Sequence, residues 1–333
     1  MPDTAEWRAL TTEPTLEPDL PICDPHHHLW QRGPDDKYLL ADVLRDVDCG
    51  HNIVSTVFIE FRTQYRTDGP EELKRVGETE FVERIATESE TGKHGKTRIA
   101  AGIITSADLL LGAEVAKTLE GHLAASPRFR GIRHSAAWIP DAADVGMRVG
   151  APEGLLADAK YRQGFAQLKR YNLIYDAWQL MTQLPEVIDI ARANPDQILV
   201  LNHMGGILGV GQYGARHDEY FATWKKNIIE AAKLPNIVCK IGGLGTARCG
   251  LGWSDLPKPP SSEEIAKGSE PWFMHCIENF GVSRCMFESN FPVDRASFSY
   301  HLLWNGFKRF SAKFSPAERA ALFHDNATRI YRI

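Results

Sequence analysis

Short apolar runs alternate with longer stretches of helical spacing along nearly the whole chain. The runs at 20–28, 52–61, 98–105, 129–134, 173–178, 197–203, 236–241 and 284–290 are strand-length and bounded by polar tips. The stretches between them read as helices. Residues 41–49, 70–90, 112–125 and 158–171 follow the first four runs. The next helix carries Pro185 in its first turn, Leu184, Val187, Ile188 and Ala191 on one face, and a stop at Asn194-Pro195. Phe221, Trp224, Ile228 and Ala231 form the stripe of the sixth helix. Ser261 with Glu264 is a capping box for the seventh, and 297–310 makes the eighth. Ser315-Pro316-Ala317-Glu318 opens an extra C-terminal helix.

Eight strand-plus-helix units without a break predict a (β/α)8 TIM barrel over 20–333. An open doubly wound sheet is the alternative, but its glycine-rich first turn is replaced here by His26-His27-His28-Leu29-Trp30. Residues 1–19, acidic and proline-containing, read as a loosely ordered N-terminal arm.

In such a barrel the C-terminal strand tips meet on one face. They carry His26 and His28, Glu60, Arg133 and His134, Asp176, His203, Lys240, and Glu288 with Asn290. Burying so many ionisable groups unpartnered costs several kcal/mol each, so they must satisfy one another, a metal or a ligand. His26, His28 and His203 are the candidate ligands of one divalent metal, zinc first, because neutral imidazole suits it. His203, Glu288, Asn290 and Asp176 form the candidate catalytic set, with Asp176 either an acid–base group or an ion-pair partner. Asp24 is expected either to orient His26 or to pair with Lys240 or an arginine. Arg133, His134, Lys240, Trp138 and Trp253 are candidate substrate contacts, with a salt bridge as the alternative for Lys240 and a carboxylate clamp as the role of Arg133.

The 333 residues carry a net charge of −5 and no basic block, which argues against a nucleic-acid partner, and no apolar run is long enough to span a membrane. The six cysteines form no CxxC pair, so buried free thiols and a cytoplasmic location are expected. Aromatic-rich loops at 31–40, 135–157 and 244–260 point to a ring-bearing or apolar ligand and allow a homo-oligomer.

With these residues placed, the chain resembles the amidohydrolase superfamily, and within it the amidohydrolase-2 branch that includes lactonases. The likeness rests on DPHHHLW, RGIRH, YDAWQLMTQLPE, LNHMGG, CKIGGLG, CMFESNFPVD and DNATRIYRI. It implies a hydrolase opening a lactone or similar cyclic ester of a carboxylated small molecule. His26, His28 and His203 would bind a metal or, in metal-independent members, polarise the carbonyl. The family's strand-eight aspartate is Asn290 here, which cannot accept a proton, so Glu288 is its expected replacement, with Asp294 and Asp176 as rivals. No histidine follows strand five and no bridging lysine lies on strand four, so at most one metal is expected. The lost aspartate also makes a metal-dependent decarboxylase the alternative reaction.

Overall fold

The computed structural model describes residues 4–140, 142–147 and 150–333. The first three arm residues and 141, 148 and 149 of the 135–157 loop lie outside them. Eight strands pair in parallel in sequence order: β1 (Ile22–His27), β2 (Ile53–Ile59), β3 (Arg98–Thr105), β4 (Phe129–Ile132), β5 (Ile174–Ala177), β6 (Leu199–Leu201), β7 (Ile237–Gly242) and β8 (Cys285–Glu288). Between them run α1 (Leu40–Val47), α2 (Val76–Ser89), α3 (Val115–Ala125), α4 (Ala159–Phe165), α5 (Leu184–Ala193), α6 (His217–Ala232), α7 (Ser262–Phe280) and α8 (Tyr300–Phe310). This is the predicted (β/α)8 barrel. The 31–40 stretch, expected to be a plain loop, contains all but Trp30 of a two-stranded ribbon, Trp30–Gln31 against Lys37–Tyr38.

The seam between β1 and β8 is closed by polar groups. Pro25 interrupts β1, whose register against β2 shifts between Asp24 and His27, because proline has no N–H for the ladder. Beyond it, Asn290 N–H donates to His26 O (2.9 Å) and His28 N–H to Phe291 O (2.8 Å). Asp24 latches this seam. It accepts from Ser289 N–H (3.0 Å), Ser289 O–H (2.5 Å), Tyr300 O–H (3.0 Å) and His26 N–H (3.2 Å). That replaces the expected pairing of Asp24 with Lys240 or an arginine. Removing the hydroxyl with Ser289→Ala leaves a buried carboxylate oxygen short of a donor and should cost about 1–3 kcal/mol by urea unfolding.

The opposite mouth is plugged by the chain's own end. After α8 a further helical run, Pro316–Ala320, Ala321–Asp325 and Asn326–Tyr331, turns back under the barrel. Ala327, Ile330 and Tyr331 pack inside with Val57, Ile104, Val200 and Met286. The described part of the N-terminal arm, residues 4–19, is held rather than loose: Trp7 is buried and donates to Leu256 O (3.1 Å), and Lys308 Nζ donates to the carbonyls of Leu16 and Glu17 (2.8 Å each). All six cysteines are free. Among the described residues, no helix is long and apolar enough to cross a membrane.

His122 gives the fold an acid limit. Its ring sits between Thr79 Oγ1 (2.7 Å) and Ser106 O (3.1 Å), and burial pushes its pKa down to about 4. The unfolded chain takes up this proton near 6.5 and the folded one does not. The contribution is therefore full above about 6.5 and is lost as pH falls towards 4, on the order of 3 kcal/mol. His122→Asn should lose less stability than the parent between pH 7 and 4.5, read as urea midpoints.

Candidate active site

Three side chains from three distant segments meet inside the C-terminal mouth. His26 projects from β1. Glu288 ends β8 and is fully buried. His203 lies two residues past β6, where Asn202 N–H still reaches Ala177 O (3.1 Å) and the chain then enters a left-handed turn at His203 and Met204 (φ 52° and 53°). Such backbone is costly for residues with a Cβ, and it clusters at functional sites. Gly243 makes room for it: a Cβ there would fall 2.2 Å from His203 Nδ1.

Glu288 binds both imidazoles. Its Oε1 accepts the His203 main-chain N–H (3.0 Å) and lies 2.6 Å from His203 Nδ1. Its Oε2 lies 2.6 Å from His26 Nδ1 yet has no aligned hydrogen bond. Burial, reinforced by the nearby cations Lys240 and Arg133, holds His26 and His203 well below the usual imidazole range. Burial pushes the Glu288 carboxyl up to about 8. The arrangement fits a divalent metal. His26, His203 and Glu288 each offer one ligand atom, all within 4.8 Å of one another, and the buried Oε2 lacks a donor. Two neutral imidazoles and a carboxylate are a donor set zinc accepts.

His28 is placed differently from expectation. Its Nδ1 is fixed by Ile59 O (2.8 Å) and its Nε2 faces Asn290 Oδ1 (3.3 Å), so Glu288 rather than His28 completes the convergent group. Asn290, at φ 56°, turns away from Glu288 and donates to Asp294 Oδ1 (2.6 Å). Asp294 in turn accepts Gly245 N–H (2.8 Å), and burial lifts its carboxyl to about 7. Asn290 and Asp294 thus tie the β7 and β8 loops together.

Asp176 and Lys240 form a fully buried pair (2.6 Å) beneath His26, with Lys240 Nζ 3.4 Å from His26 Nδ1. Asp176 also accepts Asn202 Nδ2–H (2.7 Å) and the Tyr331 hydroxyl (2.9 Å to Oδ2). With its oxygens so occupied, Asp176 takes the ion-pair alternative rather than the acid–base one, and Lys240 takes the salt-bridge alternative rather than substrate contact. Arg133, on the cleft side, is fixed by Glu60: Nε donates to Oε1 (3.0 Å) and Nη2 to the carbonyl (2.7 Å), leaving Nη1 3.4 Å from His26 Nε2.

Above these residues lies a forked cleft. One lobe, about 200 Å³, is lined by Arg32, Phe61 and Trp178; the other, about 230 Å³, by Tyr65, Arg75, Ser106 and His134. Glu60, Arg62, Arg133 and Ser135 line both. Trp178 meets the His203 ring edge-on at 5.2 Å and carries Arg248 over its face at 5.1 Å. Of the two expected tryptophan contacts, Trp253 is buried against Phe298 and Gly268 in the helical layer, and neither it nor Trp138 lines these lobes, whereas Trp178 does. Glu78 was not anticipated. Buried on α2, it accepts Phe61 and Thr63 N–H (2.9 and 3.0 Å) and so shapes the loop that carries Arg62; its only sequence signal is a carboxylate within an apolar helical face.

Comparison with known proteins agrees with this architecture. A protein of Sinorhizobium fredii, uncharacterized protein y4mH, is 33% identical over 336 residues, 95% of this chain and 99% of that one. An L-fucono-1,5-lactonase of Burkholderia multivorans is 31% identical over 210 residues, 62% of this chain and 64% of its own. The crystal structure of an amidohydrolase from Burkholderia multivorans with bound zinc is 25% identical with TM-score 0.70, covering 94% of this chain and 99% of that one. A 5-carboxyvanillate decarboxylase from Novosphingobium aromaticivorans, 10% identical with TM-score 0.57 over 95% and 97% of the two chains, shares the fold. The family model described as Amidohydrolase (Amidohydro_2) matches residues 23–333, and the chain belongs to that family.

Proposed function

We propose that this amidohydrolase opens a lactone or similar cyclic ester of a carboxylated small molecule. The observation that carries the reading is the convergence of His26, His203 and Glu288 under an arginine-lined cleft. The lactonase name of a relative 31% identical supports it. Glu288 Oε1 holds both the N–H and Nδ1 of His203, which orients the ring and leaves Nε2 free to act. In the metal-free enzyme Nε2 takes a proton from the attacking water and returns it to the ring oxygen as the acyl–oxygen bond breaks. Arg133, braced by Glu60, steadies the substrate carboxylate, and Trp178 walls the reacting atoms from solvent. A zinc ion, when held by His26, His203 and Glu288, supplies Lewis acidity and lowers the pKa of water at the same place.

A panel of sugar lactones and carboxylated lactones in H₂¹⁸O tests this. One ¹⁸O in the product acid, with one proton released per turnover, is the expected result. Asn290 in place of a strand-eight aspartate favours a second reading, decarboxylation. Release of CO₂ from an unsaturated or aromatic acid, without ¹⁸O uptake and with no lactone turned over, would replace the first reading with the second.

A further inference from the structure

We infer that the forked cleft takes a diacid: one acidic group in the Trp178 lobe beside the reaction centre and a second in the lobe walled by Arg75, Tyr65, Ser106 and His134. As a statement about substrate it rests on the hydrolase reading; as a statement about binding it stands alone.

Charge supports it first. Arg32, Arg62, Arg75 and Arg133 line the two lobes. Arg133 is paired with Glu60, and Arg75 lies 3.7 Å from Asp108. Arg62 makes no hydrogen bond or ion pair among the described residues, and its backbone is held at φ 54°, at the fork between the lobes. The Arg32 guanidinium donates only to a carbonyl, that of Phe61 (2.9 Å), and lies over the Phe61 ring at 4.6 Å. Two guanidinium charges therefore lack a carboxylate, which matches a ligand with two negative charges.

The donor pattern of the second lobe is the independent observation. His134 Nδ1 accepts Leu109 N–H (3.2 Å), so the proton of the neutral ring sits on Nε2, a donor. Tyr65 and Ser106 hydroxyls lie 2.8 Å apart and share one hydrogen, leaving the second to donate elsewhere. With Arg62 and Arg75 beside them, donors outnumber the one carboxylate lining the lobe, that of Glu60, which is paired with Arg133, and a second carboxylate, which only accepts, is their complement. At about 230 Å³ the lobe suits a small group.

Calorimetric titration at fixed ionic strength tests this, using the straight-chain diacids malonate to adipate and the monoacids acetate to hexanoate. The best diacid should bind at least about tenfold more tightly than the monoacid of equal length, the equivalent of one added charge-assisted contact. Arg75→Met should remove that advantage and leave monoacid affinity within about twofold. Tyr65→Phe, which keeps the packing, should shift diacid affinity in the same sense and less. Equal binding of diacids and monoacids, no binding of either, or a parallel loss of both in Arg75→Met would overturn the proposal. These titrations read no ring opening. A failed lactone panel with intact diacid preference removes the reaction and keeps the site, and the reverse outcome removes the site alone.

Discussion

Glu288→Gln should lower kcat/KM for ring opening by about 10²–10⁴-fold with the fold intact. Once ionised, which burial delays to about pH 8, the carboxylate does two things that an amide of the same shape cannot do together. It accepts two N–H groups of His203 on one oxygen and presents the other, donorless oxygen to His26 Nδ1. An amide keeps one acceptor oxygen, so one of those two imidazoles loses its partner and its orientation. It also removes an anionic ligand, so zinc affinity should fall together with turnover. Urea midpoints of parent and variant separate this from unfolding. Unchanged turnover in a folded Glu288→Gln protein would remove Glu288 from the reaction.

Lys240→Met should cost about 3–5 kcal/mol in unfolding free energy, because it strands the Asp176 carboxylate inside the barrel. Tyr331 and Asn202 still donate to Asp176, but neither carries a charge. Lys240→Met with Asp176→Leu should recover most of that loss, since an apolar pair of similar volume leaves no uncompensated ion. Failure of the double variant to recover would show that packing, and not the charge, sets the cost. Lys240 Nζ is 3.4 Å from His26 Nδ1 and 5.3 Å from the Tyr331 ring, so the pair lies between the C-terminal plug and the site.

The barrel was legible because its strands are continuous apolar runs and its helices carry stripes and caps; both signals are local. The convergence of His26, His203 and Glu288 was legible in part, because strand tips in a closed barrel must meet. What alternation along a strand could not show was backbone turning. Glu288 and Asn290 share a face only if the chain stays extended, and at φ 56° Asn290 leaves that face, carrying its amide to His28 and Asp294. His28, although its ring lies 5.0 Å from that of His26, has its nitrogens at Ile59 O and Asn290 Oδ1, partners that alternation along a strand does not announce. The role of Asp176 depended on Tyr331, which arrives from 155 residues further along the chain, and no local pattern announces such a partner. Trp253 and Trp178 illustrate the same limit. Trp253 lies in a loop and Trp178 ends the fifth apolar run, and only tertiary packing buries the first against α7 and leaves the second in the cleft.

Diffraction data from crystals grown with zinc, collected at the zinc absorption edge, test the shared centre most directly. A single anomalous peak about 2.0–2.3 Å from one atom each of His26, His203 and Glu288 is the predicted result. A peak on His28 without Glu288, or imidazoles turned away from the Glu288 carboxylate with no peak between them, would contradict it.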